Sequence, residues 1–303
     1  MKAVLGYLIS YWRQLDKQVF LYSALFTALA VSINYGLHLD DHIRNSGIFN
    51  STIGWFTVFF IAFSFPYLLT TFFKRGNPFR HRRFVALLLI APALFAIKMA
   101  IPYRVALSIN ADANTYWNAI LYYPLKLVTL ATGLWLVWKA FDSEQPFYGT
   151  GVKGFSAKPY WIMLLIMIPL IAAASTQPDF LAMYPKMQHQ RFLRGEGKDF
   201  YKLLYELSYG TDFISIEIFF RGFLVIAFAR WVGKDAILPM AVFYCTIHFG
   251  KPIGECISSF FGGIILGVVT YHTHTIWGGL MVHLGIAWLM EAGGYIGNTL
   301  LKN

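Results

Sequence analysis

Apolar residues in this chain gather into long runs. Nine of them, each near the roughly 20 residues a helix needs to cross a bilayer, occupy positions 18–37, 51–73, 84–101, 118–138, 160–175, 213–231, 236–249, 253–271 and 276–296. They predict an all-α, polytopic transmembrane bundle of about nine helices. The run 236–249 is short, and Gly250, Pro252 and Gly254 separate it from the next, so one member of that pair is expected to be tilted or broken. The stretch 141–159 is rich in Gly, Pro, Ser and Lys. It divides the chain into N-terminal transmembrane helices (1–140) and a helical core (159–303).

Composition agrees with the pattern. Of 303 residues, 57% are hydrophobic and 13% charged, with a mean hydropathy of +0.53, far from the balance of a soluble domain. The net charge of +10 is a question of placement. The basic residues sit at the ends of apolar runs rather than among exposed aromatics, so no nucleic-acid partner is expected. Lys74, Arg75, Arg80, Arg82 and Arg83 crowd one loop, which the positive-inside rule places in the cytoplasm. Lys2, Arg13 and Lys17 put the N-terminus on the same side, and alternation puts Lys139, Lys153, Lys158, Arg230 and Lys234 inside and the C-terminus outside. The segment 177–212 then falls outside. It mixes Lys186, Arg191, Arg194, Lys198 and Lys202 with Asp179, Glu196, Asp199 and Glu206, as a re-entrant or interfacial helix would. The first residues lack the uninterrupted apolar stretch and small-residue site of a cleavable signal. Cys245 and Cys256 lie in or beside apolar runs and are expected to be buried thiols. With Phe, Trp and Tyr at 18%, Phe56, Phe59, Phe60, Phe63 and Phe65 are expected to face lipid.

Ionisable side chains are costly inside apolar runs, which makes each one kept there a candidate for function. The first five runs hold chiefly Lys98 and Lys126, whereas the last four hold Glu217, Arg221, His248, Glu255, His272, His283 and Glu291. Glu217 and Arg221 are four apart, on one helix face within pairing distance. Such a pair either fixes helix packing or belongs to a site. His248 and His283 on two further helices could join it as carboxylate base, imidazole and cationic anchor, a set able to polarise a water. His272 and His274 form a His-x-His whose spacing suits a solvated helix end better than a metal. No His-Glu-x-x-His and no Gly-x-Ser-x-Gly is present, and Gly210-Thr211-Asp212 has no paired membrane aspartate. Glu291, two turns beyond His283 on roughly the same face, could supply a carboxylate, but is expected rather to mark the membrane edge.

The motifs Ile216-Glu217-(three residues)-Arg221, Tyr244-(three)-His248 and His283-(three)-Ala287, with their flanks Phe219-Phe220-Arg221-Gly222-Phe223-Leu224 and His248-Phe249-Gly250, resemble the CAAX protease and bacteriocin-processing enzyme family. These are the glutamate-type intramembrane proteases. The resemblance covers 212–291 and implies an integral membrane endopeptidase that acts on a membrane-associated peptide or protein and needs no cofactor. In the family, two adjacent glutamates precede the arginine by four residues, and the third motif's histidine is followed four residues on by Asn or Asp. Carried over residue by residue, Glu217 corresponds to the second glutamate, Arg221 to the arginine, His248 to the histidine that helps activate water, and His283 to the histidine that supports the oxyanion. Two positions depart: Ile216 stands for the first glutamate and Ala287 for Asn/Asp. Isoleucine cannot accept a proton, and losing one oxyanion donor costs on the order of a hundredfold or more. Two readings follow: Glu217 takes over as the base, or the chain is a catalytically impaired homologue that binds a membrane peptide or protein as a scaffold. Family and loop charges together suggest a bacterial inner membrane. A transporter would need substrate groups in both halves of the chain, and here the polar residues sit in one.

Overall fold

A computed structural model describes residues 2–74, 76–152 and 155–300. Arg75 and Lys153 of the loop-charge pattern, and the C-terminal Asn303, lie outside the described residues. Among the described residues there are helices and no strand: α1 (Lys2–Gln14), α2 (Lys17–Leu37), α3 (Leu39–Arg44), α4 (Ile48–Lys74), α5 (Arg82–Ala100), α6 (Ala111–Val137), α7 (Lys158–Ala174), α8 (Pro178–Met183), α9 (Asp199–Glu217), α10 (Ala229–Val232), α11 (Ile237–Thr246), α12 (Ile253–Thr273) and α13 (Trp277–Leu300). Every apolar run of the sequence coincides with a helix. The run 213–231 is compound, because α9 passes at Glu217 into a π-helical stretch, Ile218–Ala227, before α10. Among the described residues, five helical segments are long and apolar enough to cross a membrane by length and composition: Lys17–Leu37, Ile48–Lys74, Arg82–Ala100, Ala111–Asp142 and Ile253–Thr273. α7 is apolar but shorter.

The short member of the suspected pair is α11. Its 10 residues span only about 15 Å, too little to cross a bilayer. All ten are buried. A helix that is apolar all round belongs inside protein, and α11 is walled by α2, α4, α12 and the π-helical stretch.

By contacts the chain forms two units interleaved in sequence. The first comprises Met1–Ile101, Thr132–Phe155 and Glu217–Ile276, and the second comprises Pro102–Ala131, Ser156–Ile216 and Trp277–Asn303. In the first, the core is aromatic. Phe59 and Phe63 are fully buried, with Phe59 packed on Phe95 and Phe243 at ring separations of 5.7 and 4.8 Å, and Phe63 on Phe228 at 5.1 Å. This corrects the expectation that both face lipid. On a helix as uniformly apolar as α4 the sequence does not mark which side meets lipid, and the inward rings are chosen by α5 and α11. Because hydrocarbon solvates apolar side chains as well as protein does, close ring packing rather than the hydrophobic effect holds such helices together. Each offset or edge-on pair adds about 0.5–1.5 kcal/mol.

In the second unit α13 packs along α7 and α8. One cluster joins Tyr116 and Ile120 of α6 to Leu193 and Tyr205. A second gathers Tyr209, Phe213, Leu280 and Ala287. The segment 177–212, expected to hold an interfacial helix, contains α8, two short 3-10 turns and most of α9.

Candidate active site

Glu217 and Arg221 both lie in the first unit, at the junction of α9 with the π-helical stretch, and neither side chain has any exposed surface. Arg221 Nε stands 3.7 Å from Glu217 Oε1, so the predicted i, i+4 pair forms. Two further contacts hold the guanidinium. Its Cζ lies 4.4 Å from the centre of the Tyr244 ring, and Nη1 reaches Met240 Sδ at 3.8 Å. Both partners are on α11, where burial on all sides keeps their side chains in one place. A π-helical stretch is uncommon and often accompanies function. Here a loop leans on it: Tyr148 hydrogen-bonds Asp142 at 2.9 Å, Arg230 pairs with the same carboxylate, and any Cβ at Gly222 would overlap the Tyr148 carbonyl oxygen.

His248 follows the end of α11. Its ring meets Tyr244 edge-on with centroids 4.7 Å apart, so Tyr244 touches both Arg221 and His248. His248 Nδ1 lies 2.9 Å from the Tyr244 carbonyl oxygen. A carbonyl only accepts, so Nδ1 carries the hydrogen, and whenever the ring is neutral its lone pair is on Nε2. That is the tautomer a general base requires. His248 is only partly buried, in contrast to the Glu217–Arg221 pair. Glu255, on the first turn of α12, pairs with Lys251 at 3.1 Å. Cys245 and Cys256 are fully buried free thiols with sulfurs 3.9 Å apart, as expected from their runs.

His283 belongs to the second unit. It packs against Phe213 with ring centroids 4.8 Å apart. Ala287, one turn on, is 4% exposed among Tyr209, Phe213 and Leu280. The position that holds a polar partner in the family is therefore an apolar wall here. Ile216 is likewise buried, at 6% exposure.

Glu291, read from the sequence as a carboxylate for the site or a residue at the membrane edge, is buried at 5% exposure. Its Oε1 accepts the Lys186 backbone N–H at 2.9 Å, and its carboxylate acts electrostatically on Glu206. Burial first, then the facing Glu291 carboxylate, push the Glu206 carboxyl up to about 8, with Lys186 opposing. Burial and a neighbouring carboxylate both favour the protonated form of Glu206. Glu206 and Glu291 line a cavity of about 480 Å³ with Leu203, Trp288 and Tyr295 among its walls. No spacing rule links positions 206 and 291; only the packing of the second unit joins them. His272, the doubtful metal candidate, instead stacks on Tyr7 with centroids 4.3 Å apart.

Apolar helices of membrane-spanning length mark an integral membrane protein, and a fully buried Glu217–Arg221 pair lies in the same unit as most of them. Residues 208–289 match the family of type II CAAX prenyl endopeptidase Rce1-like proteins. The match runs from α9 into α13 and contains Glu217, Arg221, His248 and His283, so the resemblance carried by the three motifs holds over that segment. No curated protein and no solved structure matches the chain.

Proposed function

We propose that this protein is a membrane endopeptidase of the CAAX-protease-like class, cleaving a membrane-associated peptide or protein with a water activated by Glu217 and His248. The observation that carries the reading is the buried path from Glu217 through Arg221 and Tyr244 to a histidine whose Nδ1 is committed to a backbone carbonyl. In this reading Glu217 takes a proton from water as the oxygen adds to the peptide carbonyl carbon, with His248 Nε2 accepting a hydrogen bond from that water. Support of the oxyanion that forms is assigned to His283 by its correspondence to the third motif alone. Collapse breaks the C–N bond, and the proton held by Glu217 passes to the leaving amine. Arg221, 3.7 Å away, orients the carboxylate.

One observation favours a second reading, the catalytically impaired scaffold. Ile216 and Ala287 present buried apolar surface at the positions of the family's first glutamate and its oxyanion partner. The test is incubation of the purified protein, in detergent and in liposomes, with prenylated and unprenylated peptides, and mass spectrometry of the products. The endopeptidase reading expects cleavage by the wild type, and a rise of about tenfold or more in Ile216→Glu, since a positioned acid–base group contributes about 10²–10⁴-fold. A folded wild type and a folded Ile216→Glu that both leave every peptide intact would establish the scaffold instead.

Loop charge supports an orientation with the N-terminus and residues 76–83 in the cytoplasm, and the family suggests a bacterial inner membrane as the setting. Single cysteines introduced at Asn77 and Asn110, in a background lacking Cys245 and Cys256, are expected to be labelled by an impermeant maleimide from opposite sides. Labelling of Asn77 from the external face of intact cells would reverse the orientation.

A further inference from the structure

The turn that carries His248 is gripped by residues far outside the family match. Lys251 N–H donates to the His248 carbonyl at 3.1 Å, closing a four-residue turn with Gly250 third at a φ of +79°, the left-handed backbone that glycine adopts without strain. With the turn in that shape, its outward carbonyls are taken by the N-terminal helices. Arg44 Nη2 donates to the Phe249 carbonyl at 2.9 Å, and Tyr35 Oη donates to the Lys251 carbonyl at 2.6 Å. Gly250 lies so close to Asp40 that a Cβ would overlap its Oδ2.

These holding groups are themselves held. Asp40 is 5% exposed, and it accepts from Asn34 Nδ2 at 3.2 Å while its backbone N–H donates to Asn34 Oδ1 at 3.0 Å. Arg44 is tied to Asp40 Oδ2 at 3.5 Å and lies over the buried Trp55 ring with Cζ 5.8 Å from its centre. The left-handed His38 between α2 and α3 turns the chain so that Asn34 and Asp40 can meet. A buried carboxylate, its amide partner and a guanidinium thus converge on one turn. Packing alone needs no such polar groups, and Asp40 and Asn34, both buried, would be costly there unless satisfied, while Arg44 is half exposed.

We propose that Asp40 and Arg44, with Tyr35, are positioning residues for His248: they set the turn so that its ring stays bonded through Nδ1 to the Tyr244 carbonyl and offers Nε2 to the site. The consequence for catalysis rests on the endopeptidase reading; the consequence for the ring does not. An Arg44 variant therefore acts on the tautomer and orientation of a histidine that Arg44 does not touch through any ring atom.

The test is ¹⁵N NMR of the full-length protein in detergent, with labelled histidine and the His248 signals assigned by their loss in His248→Gln. Wild type is expected to show separate protonated Nδ1 and unprotonated Nε2 resonances for His248. In Arg44→Ala the two are expected to move toward a common average, in Arg44→Lys to recover part of the separation, and in Tyr35→Phe to shift less than in Arg44→Ala. Where peptides are cleaved, Arg44→Ala lowers kcat about ten- to hundredfold with KM within about twofold, the scale on which small misplacements act. If Arg44→Ala and the milder Tyr35→Phe fold and lower thermal stability while leaving the His248 nitrogens as in wild type, the contacts are structural only and the inference fails. A wild type that cleaves nothing overturns the endopeptidase reading, and the ring signals still decide this one.

Discussion

Glu217→Gln is expected to abolish peptide cleavage, by about 10²–10⁴-fold or beyond detection, while the purified variant keeps its helical content and its detergent elution profile. The physical reason is local. With Ile216 in place of an acid, Glu217 is the carboxylate beside Arg221, and glutamine preserves its shape and a carbonyl acceptor but takes up no proton. Some stability is lost as well, about 1–3 kcal/mol, because Arg221 then faces a neutral amide in a site with no solvent exposure. The measurement is single-turnover peptide cleavage alongside circular dichroism. Equal cleavage by wild type and Glu217→Gln would remove the glutamate from the mechanism.

Arg221→Ala should produce the largest loss of stability of any single change in the site, about 3–5 kcal/mol, the cost of leaving one member of a buried ion pair behind. It strips Glu217 of its counter-charge and Tyr244 of the cation over its ring. Removing both charges together, in Glu217→Gln with Arg221→Met, is expected to recover much of that loss, because an apolar side chain of similar volume replaces the guanidinium and no unpaired charge remains. Thermal unfolding in a single detergent provides the comparison. An Arg221→Ala variant within about 1 kcal/mol of wild type would mean that the pair is not what stabilises the π-helical stretch.

Both expectations start from residues that could be picked out by spacing alone. An acid and a base four apart on an apolar helix must face one another, since lipid leaves them no other partner, and Glu217 and Arg221 do. The same holds for the apolar runs, because a chain in hydrocarbon has to satisfy its backbone within each segment and helix follows. Local breakers marked one member of the pair 236–249 and 253–271 as tilted or broken, and the structure shows which: α11 is a buried ten-residue helix.

What the linear pattern left open depends on which side of each helix meets protein. On α4 the residues are apolar all round, so nothing in their order separated Phe59 and Phe63, which face other rings, from Phe56 and Phe60, which keep part of their surface exposed. Glu291 stands two turns from His283, and nothing in the order of residues put it with Glu206 on one cavity, which the packing of the second unit does. The grip of Asp40 and Arg44 on the His248 turn joins positions more than 200 residues apart along the chain. Helix formation and the Glu217–Arg221 pair were settled by neighbours within a turn or two, where chain geometry alone fixes distance. The core face of α4, the carboxyl pair and the seating of His248 were settled by tertiary packing, because only contacts between distant segments assign those side chains their partners.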